Sequence, residues 1–189
     1  SIWIFTIMIR IVITIIFCLF FFTCFSQKYY TDIGEIKFDG SKAAFEPIKA
    51  TNNNAISIID LKTGQIAAII NINQFEFRLS LMQEHFNENY LETNNYPTST
   101  FEGKFKKFNS DDLNENYKEY EITGNITIKD VIKKINTIVH IRKMKNQIQI
   151  KSDFSIILSD YGIGIPKIVF KKIDEEVKIN LNFVYDKKN

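Results

Sequence analysis

Apolar and polar residues alternate strictly through several late segments of the chain. Tyr120, Ile122, Gly124, Ile126 and Ile128 share one parity, and Glu121, Thr123, Asn125, Thr127 and Lys129 share the other. Ile148, Ile150, Ser152, Phe154, Ile156 and Leu158 repeat the pattern against Gln147, Gln149, Lys151, Asp153 and Ser155. Val177, Ile179, Leu181, Phe183 and Tyr185 repeat it against Lys178, Asn180 and Asn182. Side chains of a strand point to opposite faces with period two, so each segment carries one apolar and one polar face. That pattern predicts antiparallel sheet with a single buried side. Such a sheet must close on itself or on another sheet. If it closes into a barrel, the apolar face surrounds the interior.

The remaining elements follow from the same reading. Tyr29 to Phe38 is predicted as a first strand, followed by a long polar connection from Asp39 to Asn54. Ala55–Leu61 and Gln65–Ile72 form a hairpin around Lys62-Thr63-Gly64. The apolar parity then slips from even (Ile66, Ala68, Ile70, Ile72) to odd (Phe75, Phe77, Leu79, Leu81), which predicts a bulge near Asn73-Gln74. Leu81, Met82, His85 and Phe86 fall at helical spacing, so Leu81 to Tyr90 is predicted as a short helix. Tyr96-Pro97 restarts extended chain, and Thr98–Phe108, Tyr117–Lys129, Ile135–Arg142, Gln147–Ser159 and Val177–Tyr185 complete the strands. Asp160 to Lys167, with Gly162, Gly164 and Pro166, is predicted as a loop. About eight strands and one short helix is the content of an up-and-down barrel.

The first stretch is a different material. Ser1 to Phe25 is almost wholly apolar, with Arg10 its only charge. Read from Met8, Arg10 forms a basic n-region and Ile11 to Phe22 an apolar core of signal-peptide length. Residues 1–26 are therefore expected to be a cleaved signal segment with its true start at Met8, and 27–189 the mature domain, periplasmic or secreted. An uncleaved anchor using Ile2 to Phe25 is the alternative, since that stretch is long enough to span a bilayer. Lipoprotein anchoring through Cys24 is disfavoured, because Thr23 and Phe21 stand where such signals carry a small residue and a Leu. Both cysteines, Cys18 and Cys24, lie in the leader, so no disulfide framework stabilises the domain. The net charge of +2 argues for neither nucleic acid nor an anionic membrane as a partner.

Catalytic signatures are missing. His85 and His140 are far apart and lack metal-ligand spacing, so no metal is expected. His140 lies on a polar parity and reads as solvated; His85, in the helical segment, reads as a surface or packing residue that could reach a ligand at the barrel mouth. No G-x-S-x-G elbow occurs, and Gly162 and Gly164 make a turn rather than a phosphate loop. Asp111-Asp112 and Glu175-Glu176 read as solvated turn charges. Eleven of the 17 phenylalanines lie beyond the leader. The inward set Phe75, Phe77, Phe101, Phe105, Ile122, Ile126, Phe154, Ile156, Leu181 and Phe183 is either a plug or the wall of a pocket.

Phe75-Glu-Phe-Arg-Leu-Ser-Leu-Met-Gln-Glu-His-Phe86, followed by Tyr96-Pro97 and Thr100-Phe101-Glu-Gly103, resembles the middle of a YceI-like domain. Tyr120-Glu-Ile-Thr-Gly124-Asn-Ile-Thr-Ile128 is similar to a later strand of that family, and Phe154-Ser-Ile-Ile-Leu-Ser-Asp160-Tyr-Gly162, with Asp174-Glu-Glu-Val177 beyond it, is similar to its C-terminal pattern. The resemblance covers Phe75 to Tyr185. Tyr29 to Ile59 lacks the histidine-bearing opening of many members, so the chain resembles a divergent branch with a shortened front. The resemblance implies an all-β, lipocalin-like antiparallel barrel. It also implies an exported, non-enzymatic protein that holds an isoprenoid-like or other long-chain amphiphile, with no further cofactor. The implied ligand-binding residues are the inward set together with Phe86. A homodimer is allowed. The alternative is an exported barrel with a filled core that binds a protein partner through its outer surface.

Overall fold

The computed structural model describes residues 28–42, 45–167 and 172–188, together with Trp3 and Arg10. Apart from those two residues, the predicted signal segment lies outside the described residues. The strands are β1 (Lys28–Ser41), β2 (Lys49–Asp60), β3 (Gln65–Asn71), β4 (Glu76–Phe77), β5 (Thr98–Phe105), β6 (Lys118–Ile128), β7 (Val131–Met144), β8 (Gln147–Ile157) and β9 (Ile173–Lys187). One α-helix, α1 (Ser80–His85), continues into a wider π-type turn over Phe86–Tyr90.

Eight of the described strands close a ring in the order β1-β2-β3-β5-β6-β7-β8-β9, with β9 returning to β1. Every pairing is antiparallel, and the seam matches Phe38 with Ile179 and Ile36 with Leu181. Facing β2, β1 shifts register on either side of Gly34. Such irregularities bend a strand and increase its twist, which a closed barrel requires. The short β4 lies outside the ring, paired with the start of β2. The all-β barrel of about eight strands with one short helix is thus present.

Several boundaries differ from the sequence reading. The polar connection over Asp39–Asn54 is shorter, because Lys49–Asn54 belongs to β2. Those residues look like loop, yet Asn52 is fully buried; its Nδ2 donates to the Asn71 carbonyl at 2.9 Å and its Oδ1 accepts from Asn54 N–H at 2.8 Å. A buried amide is tolerated when its bonds are made. The expected bulge at Asn73-Gln74 is a 3-10 turn over Ile72–Gln74, where the chain leaves the ring. β7 starts at Val131 rather than Ile135, because the two-residue turn Lys129-Asp130, both at positive φ, pairs Ile128 directly with Val131. Exposed Ile132 and inward Lys133 invert the apolar pattern there and concealed the strand from a periodicity argument. β5 ends at Phe105, with Phe108 in the following turn, and β8 ends at Ile157. The hairpin from β2 to β3 is as predicted, with Gly64 at φ +69°.

One end of the ring is a floor. Tyr29, Ile59, Leu61, Tyr120, Ile141 and Ile148 are buried there. The ring of Phe108 stacks on Phe105 at 5.0 Å and meets Tyr120 edge-on at 5.1 Å. Tyr185 is fully buried, and its hydroxyl lies 2.9 Å from Ser57 Oγ. Ser57 donates its own proton to the Ala67 carbonyl, so Tyr185 is the donor to Ser57. Burial pushes the Tyr185 phenol far above its ordinary value. This arrangement makes the two conservative deletions unequal. Tyr185→Phe leaves the Ser57 proton satisfied and should cost about 1 kcal/mol, whereas Ser57→Ala strands a buried phenol hydroxyl and should cost about 1–3 kcal/mol. Urea unfolding of the two variants measures the order; equal losses would contradict the assignment of Tyr185 as donor.

Candidate functional site: the barrel cavity

Along β8, and along β9 from Tyr185 to Ile179, inward side chains become less buried from the floor toward the other end. On β8, Ile148, Ile150 and Ser152 are 0%, 1% and 1% exposed. Phe154, Ile156 and Leu158 face the same way, yet they are only half-buried. On β9, Tyr185 and Phe183 are buried, while Leu181 and Ile179 are half-buried. The cause is a cavity of about 460 Å³ inside the ring. The wall is almost entirely apolar. Two of its few hydroxyls are already spent on backbone, Ser99 on the Thr127 carbonyl at 2.7 Å and Ser152 on the Ile138 carbonyl at 2.7 Å. So the inner wall is a surface with little to offer a polar group and much to offer a hydrocarbon.

The mouth is built by the excursion between β3 and β5. There Phe75, Phe77 and Phe86 converge on Phe38 of β1: Phe38 stacks on Phe86 at 5.4 Å and takes Phe75 and Phe77 edge-on at 5.6 and 5.4 Å. These contacts hold α1 and the π-type turn across the opening. Leu81, His85 and Lys172 line the cavity and are solvent-exposed, so the cavity reaches the surface beside them. Ile163, from the predicted loop, lines the opposite rim. Burial raises the Tyr90 phenol at the rim above its ordinary value.

An ionic clamp fixes the far end of the excursion. Lys129, in the β6–β7 turn, bonds the Glu92 carboxylate and donates to the Tyr90 carbonyl at 3.2 Å. The hydrogen bond from Lys129, aided by its charge, holds the Glu92 carboxyl below its ordinary value.

On the inner wall, Gly103 of β5 lies opposite Gly124 of β6, and the ring of Phe101 rests flat over both. A Cβ on Gly103 would come within 2.5 Å of the Phe101 ring tip, and one on Gly124 within 2.4 Å of the Glu102 carbonyl. The paired glycines therefore provide the recess that keeps Phe101 out of the lumen.

The fold has close counterparts. The sequence matches the family model described as YceI-like domain over residues 31–185. The chain belongs to the YceI-like domain family. The match extends the resemblance seen over Phe75 to Tyr185 back into β1, through most of the divergent front. Among solved structures, a polyisoprenoid binding domain from Saccharophagus degradans, implicated in plant cell wall breakdown, superposes with a TM-score of 0.75 at 13% identity, covering 86% of this chain and 99% of that one. BcnA of Burkholderia cenocepacia gives 0.67 at 16% identity, covering 80% and 95%. A Campylobacter jejuni YceI protein gives 0.62 at 16% identity, covering 78% and 90%. At these identities the likeness is one of fold. No curated protein matches in sequence.

In this YceI-like barrel, the eleven sequence-predicted site residues meet on one surface. Phe75, Phe77 and Phe86 come from the excursion; Phe101 and Phe105 from β5; Ile122 and Ile126 from β6; Phe154 and Ile156 from β8; Leu181 and Phe183 from β9. All line the cavity, Phe105 and Phe183 at its buried end. The inward residues are walls around a space rather than an interlocked plug. His85 stands at the rim, whereas His140 lies half-exposed on the outer face, 3.1 Å from Glu119. The sequence reading missed Ile36 and Phe38 of β1 and Ile66, Ala68 and Ile70 of β3, which also line the cavity. Their parity was available in the sequence, since both runs alternate as the later strands do. Among the described residues, no three metal-ligating side chains cluster.

Two outcomes are expected. Gly103→Ala should drive the free end of the Phe101 ring into the lumen and weaken apolar-dye binding several-fold while the thermal midpoint changes little; unchanged binding would refute the recess. For the clamp, a carboxyl with a lowered folded pKa contributes stability above its unfolded value and loses it as pH falls through the folded one. Below the ordinary glutamate value of 4.5, amides of residues 80–92 should therefore exchange faster relative to the barrel strands. Lys129→Met should show the fast exchange already at pH 7 and abolish its dependence on acid.

Proposed function

We propose that this protein is an exported, non-enzymatic lipid carrier that holds the tail of an isoprenoid-like or other long-chain amphiphile inside the barrel. The observation that carries the proposal is the apolar cavity inside the ring, onto which inward side chains of β8 and β9 that are sealed at the floor open toward the mouth. A protein that needed only a stable core would fill that space, because an empty apolar cavity forgoes packing contacts. Support also comes from the family, one of whose structural counterparts is named as polyisoprenoid-binding.

The energetics are sufficient. A chain hiding ~600 Å² of apolar surface gains roughly 15 kcal/mol, against an association cost of about 4–15 kcal/mol. No charged anchor is needed inside the barrel, so the tail enters first and the head group stays at the rim near His85 and Lys172. The export part of this reading is supported by the apolar leader of residues 1–26; on it, the mature domain works in the periplasm or outside the cell.

Phe154 lines the cavity and is half-buried, which makes it a reporter position. Phe154→Trp should shift its emission to the blue on addition of farnesol and stay unchanged on addition of glycerol. Protein purified from its own host should release a hydrocarbon-tailed molecule on organic extraction, read by mass spectrometry. Repeated recovery of empty protein, together with a silent Phe154→Trp variant, would reject carriage.

A further inference from the structure

We infer that the cavity measures chain length: it accepts about sixteen carbons of a single tail, and anything longer runs back out of the mouth. This inference rests on the carrier reading and goes beyond it by naming the size class of the ligand.

Depth sets the number. The cavity is closed at the floor and open at the mouth, and its lined wall runs from Ile150 of β8 to Leu158, one residue past the strand. At about 3.3 Å per residue and a strand tilt of about 40°, that wall is roughly 20 Å deep. An extended alkyl chain advances about 1.25 Å per carbon, from C–C bonds of about 1.52 Å, so the depth corresponds to roughly sixteen carbons.

The far end is a hard stop. Phe105 and Tyr185 line the bottom of the cavity, and beneath them Ile148 and Ile141 are fully buried. The Tyr185–Ser57 hydrogen bond and the stacked Phe105 and Phe108 rings pin that floor. Below the mouth the wall is mostly hydrocarbon, and Ser99 and Ser152 give their protons to the backbone, so the polar end of a ligand is better solvated at the rim. Tail-first entry against a rigid floor is what turns a cavity into a ruler.

The test is a homologous series on the full chain: straight-chain alcohols from eight to twenty carbons, and prenols of ten, fifteen and twenty carbons. Each competes with the fluorescence of anilinonaphthalene sulfonate. Affinity should rise about fourfold per added carbon and flatten at about sixteen. Ala68 lines the cavity at mid-depth, and Ala68→Phe adds a six-carbon ring, so that variant should move the break to about ten. A rise continuing through twenty carbons, or a break that Ala68→Phe leaves in place, overturns the ruler while carriage stands. Failure of every length to displace the dye overturns carriage and the ruler together.

Discussion

Eight strands that each carry one apolar face must hide all eight faces at once, and here they do so by rolling into a ring. The closure falls on β1, which must pair on both edges, with β2 on one side and β9 on the other. Without that double pairing the sheet would end in two exposed edges. The register shifts around Gly34 bend β1 through the angle that closure needs. Once the ring is closed, its width is set by strand number and tilt rather than by the side chains inside it. The hollow follows from that order of constraints.

The two ends of the tube meet the same width differently. At the floor, Phe105, Phe108, Tyr120 and Tyr185 bring rings across the lumen, and Ser57 supplies the one polar partner that a buried phenol requires. At the mouth, the chain has been spent elsewhere. It leaves the ring after β3, turns through Ile72–Gln74, passes through α1 and the π-type turn, and returns at Pro97, where Ile72 N–H donates to the Pro97 carbonyl at 2.9 Å. Its phenylalanines pack on Phe38 at the rim rather than filling the centre. Aromatic pairs of this geometry contribute about 0.5–1.5 kcal/mol each beyond burial. The Lys129–Glu92 bond anchors the far end of the excursion. Opening and wall are therefore held by different interactions, and the wall is part of the sheet itself.

Much of the fold was legible because period-two alternation is a direct image of a half-buried strand. β6, β8 and β9 read cleanly for that reason. β2 did not, because its first half is Lys-Ala-Thr-Asn-Asn-Asn and a run of asparagines looks like a loop. Its strand state depends on partners remote in sequence: Ala50 faces Phe38, and the Asn52 amide is satisfied by Asn71. The opening of β7 was hidden for the opposite reason, with an apolar Ile132 turned to water and a lysine turned inward. Phe38 was passed over although its parity with Ile36 and Gly40 was on view, because its importance lies in the rings it meets from the excursion.

By itself, the sequence determined that this chain makes two-faced strands and that the apolar face is rich in phenylalanine and isoleucine. Those properties are local, since they depend on neighbours one or two residues apart. Whether the aromatic faces interlock or stand back from one another is not local. It depends on how far apart the ring holds opposite walls, on the glycine recess that keeps Phe101 flat, and on an excursion that draws Phe75, Phe77 and Phe86 to the rim. A plug and a pocket wall are written with the same residues, and only their separation in space tells them apart.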